Sequence, residues 1–272
     1  MPDVKQPLIA QAVSSRLMVQ KWRADELQSI EDVVAEEVPV AMIYNGISHA
    51  VMLATPKDLE DFALGFSLAE GILSRSKELF AIEVVQHATG IELRMDIASE
   101  RFSQLKDRRR SMTGRTGCGL CGAESLEQAL RLPKSVNTSK EVFKKIAVLK
   151  ALKNAASQQV LQAETGATHA SFWVQVNGDI TMVREDVGRH NALDKLLGAR
   201  AKQVTEAGFV LTTSRASYEM VQKVAVAGVV MLIAISAPTG LAIRLAEQCG
   251  VTLVGFARSD QFVVYTHPER LV

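Results

Sequence analysis

The sequence predicts an α/β protein: a sheet covered by helices over the second half of the chain, preceded by a smaller α+β unit. Two patterns carry this. From residue 169 onward, short apolar runs alternate with helix-length segments, as in a largely parallel sheet covered on both faces. Earlier, strand-like runs pair around Asn45-Gly46 and Thr89-Gly90 with a helix between the pairs. Asn-Gly between strands is the strongest short hairpin signal. A hydrophobic fraction of 47% in 272 residues is enough for a substantial core.

Residues 1–20 read as a loose lead-in. Glu37–Tyr44 and Ile47–Ala54 form the first hairpin. Thr55 then caps a helix over Lys57–Ile72, with Pro56 at its first position. Phe80–Val85 and Ile91–Ile97 are two further strands, followed by a polar helix over Ser99–Arg110. Leu132–Ser139 reads as a linker whose Thr/Ser end caps a helix over Lys140–Ala156. Ala170–Val176 and Ile180–Val183 form a hairpin around Asn177-Gly178-Asp179. Helices over Asn191–Leu197, Tyr218–Ala227 and Thr239–Cys249 alternate with strands at Phe209–Thr213, Val230–Ile235 and Val251–Phe256, and Phe262–Thr266 is a last strand. Gly250 stops the last helix. The expected division is 1–112, a cysteine loop and linker over 113–138, and 139–272.

Bulk composition narrows the function classes. A net charge of +1 gives no overall basicity for nucleic acid. Three cysteines do not make a disulfide framework and fit a reducing compartment. The N-terminus lacks a signal-peptide core. The longest apolar run, Val224 to Ile235, is shorter than the roughly 18–20 residues a membrane span needs. The expectation is a soluble cytoplasmic protein with no nucleic-acid or membrane partner.

The stretch Lys106–Glu124, KDRRRSMTGRTGCGLCGAE, is the most unusual. It sets Cys118 and Cys121 in a Gly-flanked C-x-x-C beside Lys106, Arg108, Arg109, Arg110 and Arg115. Nearby cations favour the reactive thiolate, and a following helix start would favour it further. The functional reading is a reactive dithiol beside an anion-binding basic patch. Other readings stay open. Half a structural zinc site needs four ligands, with Cys249 the only other thiol and His169 or His190 as completion. A thioredoxin-type pair normally follows a strand, whereas a basic Gly-rich segment precedes this one. Arg108–Arg110 also fits a solvated helix end.

A ligand of an open α/β sheet binds off the carboxyl ends of the strands. Those ends carry Thr212 to Ser217, Ser236 with Thr239 and Gly240, and Gly255, Phe256 and Arg258. Hydroxyls, helix starts and the arginines Arg215 and Arg258 suit phosphates, and Phe256 suits a base. Ordinary capping explains some of these hydroxyls equally well. A second dense stretch, REDVGRHNALDKLL from Arg184, gathers Arg184, Glu185, Asp186, Arg189, His190 and Asp194 around Gly188. It reads either as a site, with His190 in the range for proton transfer, or as a solvent-facing helical turn capped by Asp186.

Long strings here resemble a known family, the formate dehydrogenase accessory sulfurtransferases or FdhD proteins. They are EEVPVAMIYNGISHAVMLATPKDLEDFALGFSLAEGI from Glu36, GRTGCGLCG from Gly114, EDVGRHNALDKLLG from Glu185, SRASYEMVQK from Ser214 and YTHPERL from Tyr265. The resemblance implies a sulfur carrier. It would take persulfide sulfur from a cysteine desulfurase and pass it to the molybdenum (or tungsten) bis-guanine-dinucleotide pterin cofactor destined for formate dehydrogenase. It implies Cys118 and Cys121 as the persulfide pair, Cys118 foremost. It puts nucleotide binding on Phe256, Ala257, Arg258, Ser259, Asp260 and Gln261, to which Ser214, Arg215, His190 and Arg115 are added as cofactor contacts. A homodimer is also implied, as is a cytidine-deaminase-like three-layer core. Deaminases hold zinc through H-x-E and P-C-x-x-C at successive helix starts. Here those starts read REDVGRHN and TSRASYEM, with Ser214 and Ser217 where thiols are needed, and the only H-x-E is His267–Glu269 at the C-terminus. The expectation is therefore no zinc, no structural metal and no deamination.

Overall fold

The structure, a computed structural model, describes residues 12–113, 132–136, 140–203 and 206–272. The expected cysteine loop with Cys118, Cys121 and Arg115, and the Thr/Ser cap near residue 138, lie outside the described residues. Within them the chain forms sheets of two, four and six strands.

Strands β1 (Ser14–Arg23) and β2 (Glu26–Ala35) form an antiparallel ribbon where a loose lead-in was expected. Only Val19 and Ile30 at its centre are half-buried along its outer length. A ribbon with no buried face needs no apolar alternation, so the sequence pattern gave no sign of it. Strands β3 (Val38–Tyr44) and β4 (Ile47–Ala54) turn through Asn45 and Gly46, whose φ values of 44° and 83° are those of a tight hairpin turn. Strands β5 (Leu79–His87) and β6 (Gly90–Ile97) complete a sheet of order β4-β3-β6-β5. Val40, Met42, Leu93 and Met95 face helix α1 (Leu59–Ala69) and bury Phe62 and Phe66. Helix α2 (Ser99–Thr113) follows β6.

Thr55 does not cap α1. The helix begins behind Asp58, in left-handed conformation at φ 53°. Thr55 is held by distant partners instead: its N–H donates to Asp186 (3.0 Å), its hydroxyl accepts from Val187 N–H (3.2 Å) and its carbonyl accepts from Lys195 (2.9 Å).

In the second half, helix α3 spans Lys145–Ala155 rather than starting at Lys140, and Lys144 is its N-cap. Residues before it run extended beside the C-terminus, with Phe143 N–H donating to the Arg270 carbonyl and Val272 N–H to the Phe143 carbonyl. Helix α4 (Val160–Thr165) leads to β7 (His169–Gln175) and β8 (Ile180–Asp186). Then come α5 (Arg189–Ala201), β9 (Gly208–Thr212), α6 (Tyr218–Val226), β10 (Met231–Ala234), α7 (Gly240–Cys249), β11 (Thr252–Gly255) and β12 (Val263–Val264).

The large sheet has order β12-β11-β10-β9-β7-β8. It is mixed, not largely parallel: β9, β10 and β11 run parallel, whereas β7, β8 and β12 pair antiparallel to their neighbours. The β7–β8 hairpin joins through β7, and β12 returns from β11 without a helical crossover, which parallel strands would require. Helices α5, α6 and α7 cover one face over Trp173, Val210, Leu232 and Leu253; α3 covers the other over Phe172, Phe209, Leu211 and Ile233. The α/β class is thus observed, in three layers.

Helix α1 lies against α5. A Cβ on Gly65 would fall 1.7 Å from the Asp194 carbonyl oxygen, and one on Gly198 would fall 1.9 Å from that of Asp61. Only glycine permits this approach. No helix among the described residues is long and apolar enough to cross a membrane.

Candidate functional site at the strand ends

The carboxyl ends of β9, β10 and β11 point to one edge of the large sheet. Because β7 runs antiparallel to β9, its first residue His169 lies at the same edge, paired with Asp186 at the end of β8. Helices α5, α6 and α7 start there, with Gly188, Ser217 and Thr239 as N-caps. Loop pairing continues beyond the strands: Thr239 N–H donates to the Ala216 carbonyl (3.0 Å), Phe256 N–H to Ser236 (3.2 Å) and Ala257 N–H to Ala234 (3.2 Å). His190, Ser214, Arg215 and Phe256–Gln261 are therefore brought to one edge.

Their surroundings differ. Phe256 sits in the left-handed region at φ 49° and the residue is 46% exposed. A Cβ on the preceding Gly255 would be 2.7 Å from Pro238 Cδ, so the chain passes close to the neighbouring loop. Ala257 is buried and offers only backbone to a ligand. Arg258 donates to the Ile235 and Ala257 carbonyls, and its N–H closes a turn onto the Gln261 carbonyl (2.7 Å), leaving Ser259, Asp260 and Gln261 exposed. Ser214 is buried, its hydroxyl donating to the Arg215 carbonyl (2.9 Å), while Arg215 is exposed.

Capping accounts for Thr239, whose hydroxyl accepts from Ala242 N–H (3.3 Å). It does not account for Ser217, which makes no side-chain cap and meets His190 Nε2 at 3.3 Å. The same Nε2 lies 2.9 Å from Glu219 Oε2. The hydrogen bond from His190 holds the Glu219 carboxyl below the usual range. Burial, then the charges of Arg189 and His190, push His169 down.

The charged stretch around Gly188 is mostly structural, and its solvent-facing reading is overturned. Arg184 donates twice to Asp61 of α1 (2.8 and 2.6 Å). Glu185 accepts from Leu161 and Gln162 N–H (3.0 and 2.8 Å) at the start of α4. Asp186 is fully buried, paired with Lys195 at 2.7 Å, and accepts from Gly188 N–H (2.8 Å) and Asn191 (3.0 Å). The N-cap is Gly188, not Asp186. Asp194 pairs with Lys223, which also reaches Glu70. Burial would lower Lys223, but Asp194 and Glu70 prevail and raise it. Arg189 and His190 remain at the edge. Sequence reasoning missed Ser217 as a partner of His190, and Glu219 altogether. Their contacts join separate helices, and no local spacing signals them.

A surface depression of about 530 Å³ lined by Ile43, Glu83, Glu92, Arg94 and Asp96 lies on the smaller sheet and holds none of these residues.

Fold and edge together define an α/β protein with its candidate site at the carboxyl ends of a mixed sheet. Residues 35–272 match the model of the FdhD/NarQ family, and the chain belongs to that family. A relative from Cupriavidus necator, named sulfur carrier protein FdhD, is 57% identical over 259 residues, 94% of this chain and 90% of the relative. One of the same name from Variovorax paradoxus is 53% identical over 261 residues, 94% and 92% of the two chains. The crystal structure of a candidate formate dehydrogenase accessory protein from Desulfotalea psychrophila superposes with TM-score 0.73 at 24% identity, covering 96% of this chain and all of that one. At that identity the likeness speaks for the fold alone.

Proposed function

We propose that this chain is a sulfur carrier. It takes sulfur from the persulfide of a cysteine desulfurase onto Cys118 and delivers it to the molybdenum or tungsten bis-guanine-dinucleotide pterin, bound as substrate at the strand-end edge, for formate dehydrogenase. The observation that carries this reading is the family match over residues 35–272 together with near full-length relatives named sulfur carriers. Further support comes from the edge, where an exposed aromatic ring, helix starts and basic side chains suit a guanine nucleotide.

The chemistry is thiol–disulfide exchange. The Cys118 thiolate attacks the terminal sulfur of the donor persulfide. The donor S–S bond breaks and its electron pair leaves on the donor thiolate. Attack by the Cys121 thiolate on the inner sulfur of Cys118 then forms a Cys118–Cys121 disulfide and releases hydrosulfide to the cofactor, and a cellular dithiol resets the pair. The basic residues around Arg115 stabilise the anions. The reading includes a cytoplasmic homodimer working through units 1–112, 113–138 and 139–272.

Mass spectrometry after incubation with a desulfurase and cysteine tests it. Added sulfur on the peptide holding Cys118 is expected, and its absence from the wild type overturns the relay. Cys118→Ala separates carriage from a purely cofactor-holding chaperone: a chaperone variant keeps supporting formate dehydrogenase in cells, and a carrier variant does not.

A further inference from the structure

At the β7–β8 end of the edge, two buried polar atoms have no hydrogen-bond partner among the described residues. His169 opens β7, half-buried, with Arg189 and His190 close enough to bias its proton. Ser171 stands two residues on, on the same side of the strand. It is fully buried, and its hydroxyl has no hydrogen-bond partner among the described residues. The buried Nε of Arg189 likewise has none. Buried polar groups are nearly always satisfied, because leaving one unpaired is costly. Two such groups at this end of the edge, one of them adjacent in sequence to His190, point to an acceptor that the described residues do not supply.

Among the described residues, the charges around His190 are few. Arg189 and Asp194 lie on its own helix, His169 on β7, and Glu219 and Lys223 on α6. Asp194 is turned to Lys223 (3.0 Å). Glu219 is the carboxylate that meets His190, at 2.9 Å, and it is largely exposed.

We propose that Arg189 and His190 receive an oxyanion of the bound ligand, a phosphate of its pyrophosphate arm, and that Glu219 is an internal carboxylate occupying His190 until that oxyanion displaces it. The identity of the ligand rests on the function proposed above. In the strand order, β7 is three positions from β11, about 14 Å at the usual strand spacing. An extended nucleoside diphosphate bridges such a distance, its base on Phe256 and its phosphates toward His190. Removing Glu219 removes the competitor.

The test follows the imidazole signals of His190 and His169 by NMR in the full chain, with inorganic pyrophosphate as probe at pH 6. The wild type should show a saturable shift at His190. Glu219→Gln, at an exposed position, should bind about fivefold tighter at pH 6. His190→Gln should bind about tenfold more weakly. A His190 signal unmoved by pyrophosphate, or a Glu219→Gln variant that binds no tighter at pH 6, overturns the proposal. Guanosine diphosphate in the same titration judges the nucleotide reading separately: pyrophosphate binding with no gain from the guanosine would sink that reading and leave this one standing.

Discussion

Asp186 and Lys195 meet at 2.7 Å with neither side chain reaching solvent. The carboxylate also receives the N–H groups of Thr55 and Gly188 and the Asn191 amide, while Lys195 reaches back to the Thr55 carbonyl. One ion pair thus ties the end of β4, the end of β8 and the first turn of α5, and it sets where His190 stands. Removing one partner strands a buried charge. Lys195→Met should cost about 3–5 kcal/mol, and replacing both residues by apolar ones of similar size should cost clearly less. Urea unfolding of the single and double variants checks this.

The α1–α5 contact makes a second stability prediction. A methyl on Gly65 or Gly198 would overlap backbone atoms of the facing helix, and a helix backbone cannot rotate away as a side chain does. Either glycine changed to alanine should destabilise by about 3 kcal/mol, even though alanine is the better helix former. A midpoint of denaturation equal to wild type for Gly65→Ala would contradict the close approach.

His169 makes stability depend on pH. Burial, then Arg189 and His190, depress its proton affinity in the folded state. Above the ordinary histidine pKa both folded and unfolded chains carry it neutral, and it has no effect. As pH falls below about 6.5 the unfolded chain takes up the proton first, so stability is lost until the folded pKa is passed. His169→Gln should remove that component, so the fall in Tm between pH 7 and 5.5 should be smaller than in wild type. An unchanged slope would show that His169 is not held neutral.

Much of this fold is written locally. The Asn45-Gly46 turn, the Thr239 cap and the Gly250 stop occur as their residue types dictate. The failures share one cause, long-range partners. Thr55 has every local mark of a cap, but tertiary bonds to Asp186, Val187 and Lys195 claim it. Residues before Lys145 look helical but pair with a C-terminus more than a hundred positions away. The same holds at the edge. The density of charge around Gly188 was visible, yet Arg184, Glu185 and Asp186 serve α1, α4 and Lys195. The Ser217 and Glu219 contacts of His190 cross between helices.

Phe256 links backbone strain to recognition. A left-handed backbone at a bulky residue costs about 1–2 kcal/mol, and here it carries a residue that is 46% exposed. Strain retained at such a position suggests a use. Phe256→Gly should stabilise the fold by about 1 kcal/mol and weaken guanosine diphosphate binding about five- to hundredfold, the worth of one base stacked on an aromatic ring. Calorimetric binding and a denaturation curve on one preparation separate the effects. Unchanged affinity would move the base elsewhere.

Cys249 offers an internal control for sulfur transfer. It is buried at the end of α7, its thiol donates to the Leu245 carbonyl (2.8 Å), and burial raises its pKa. Thiolate character and access govern reactivity, and Cys249 has neither. In the native chain iodoacetamide should leave Cys249 unmodified long after Cys118 and Cys121 react, and labelling should appear only on unfolding. Cys118→Ser with Cys121→Ser should then take up no sulfur from a loaded desulfurase, although one cysteine remains. Sulfur found on Cys249 in that variant would mean that the donor reaches the α7 end of the core, and the assignment of carriage to the C-x-x-C pair would have to be withdrawn.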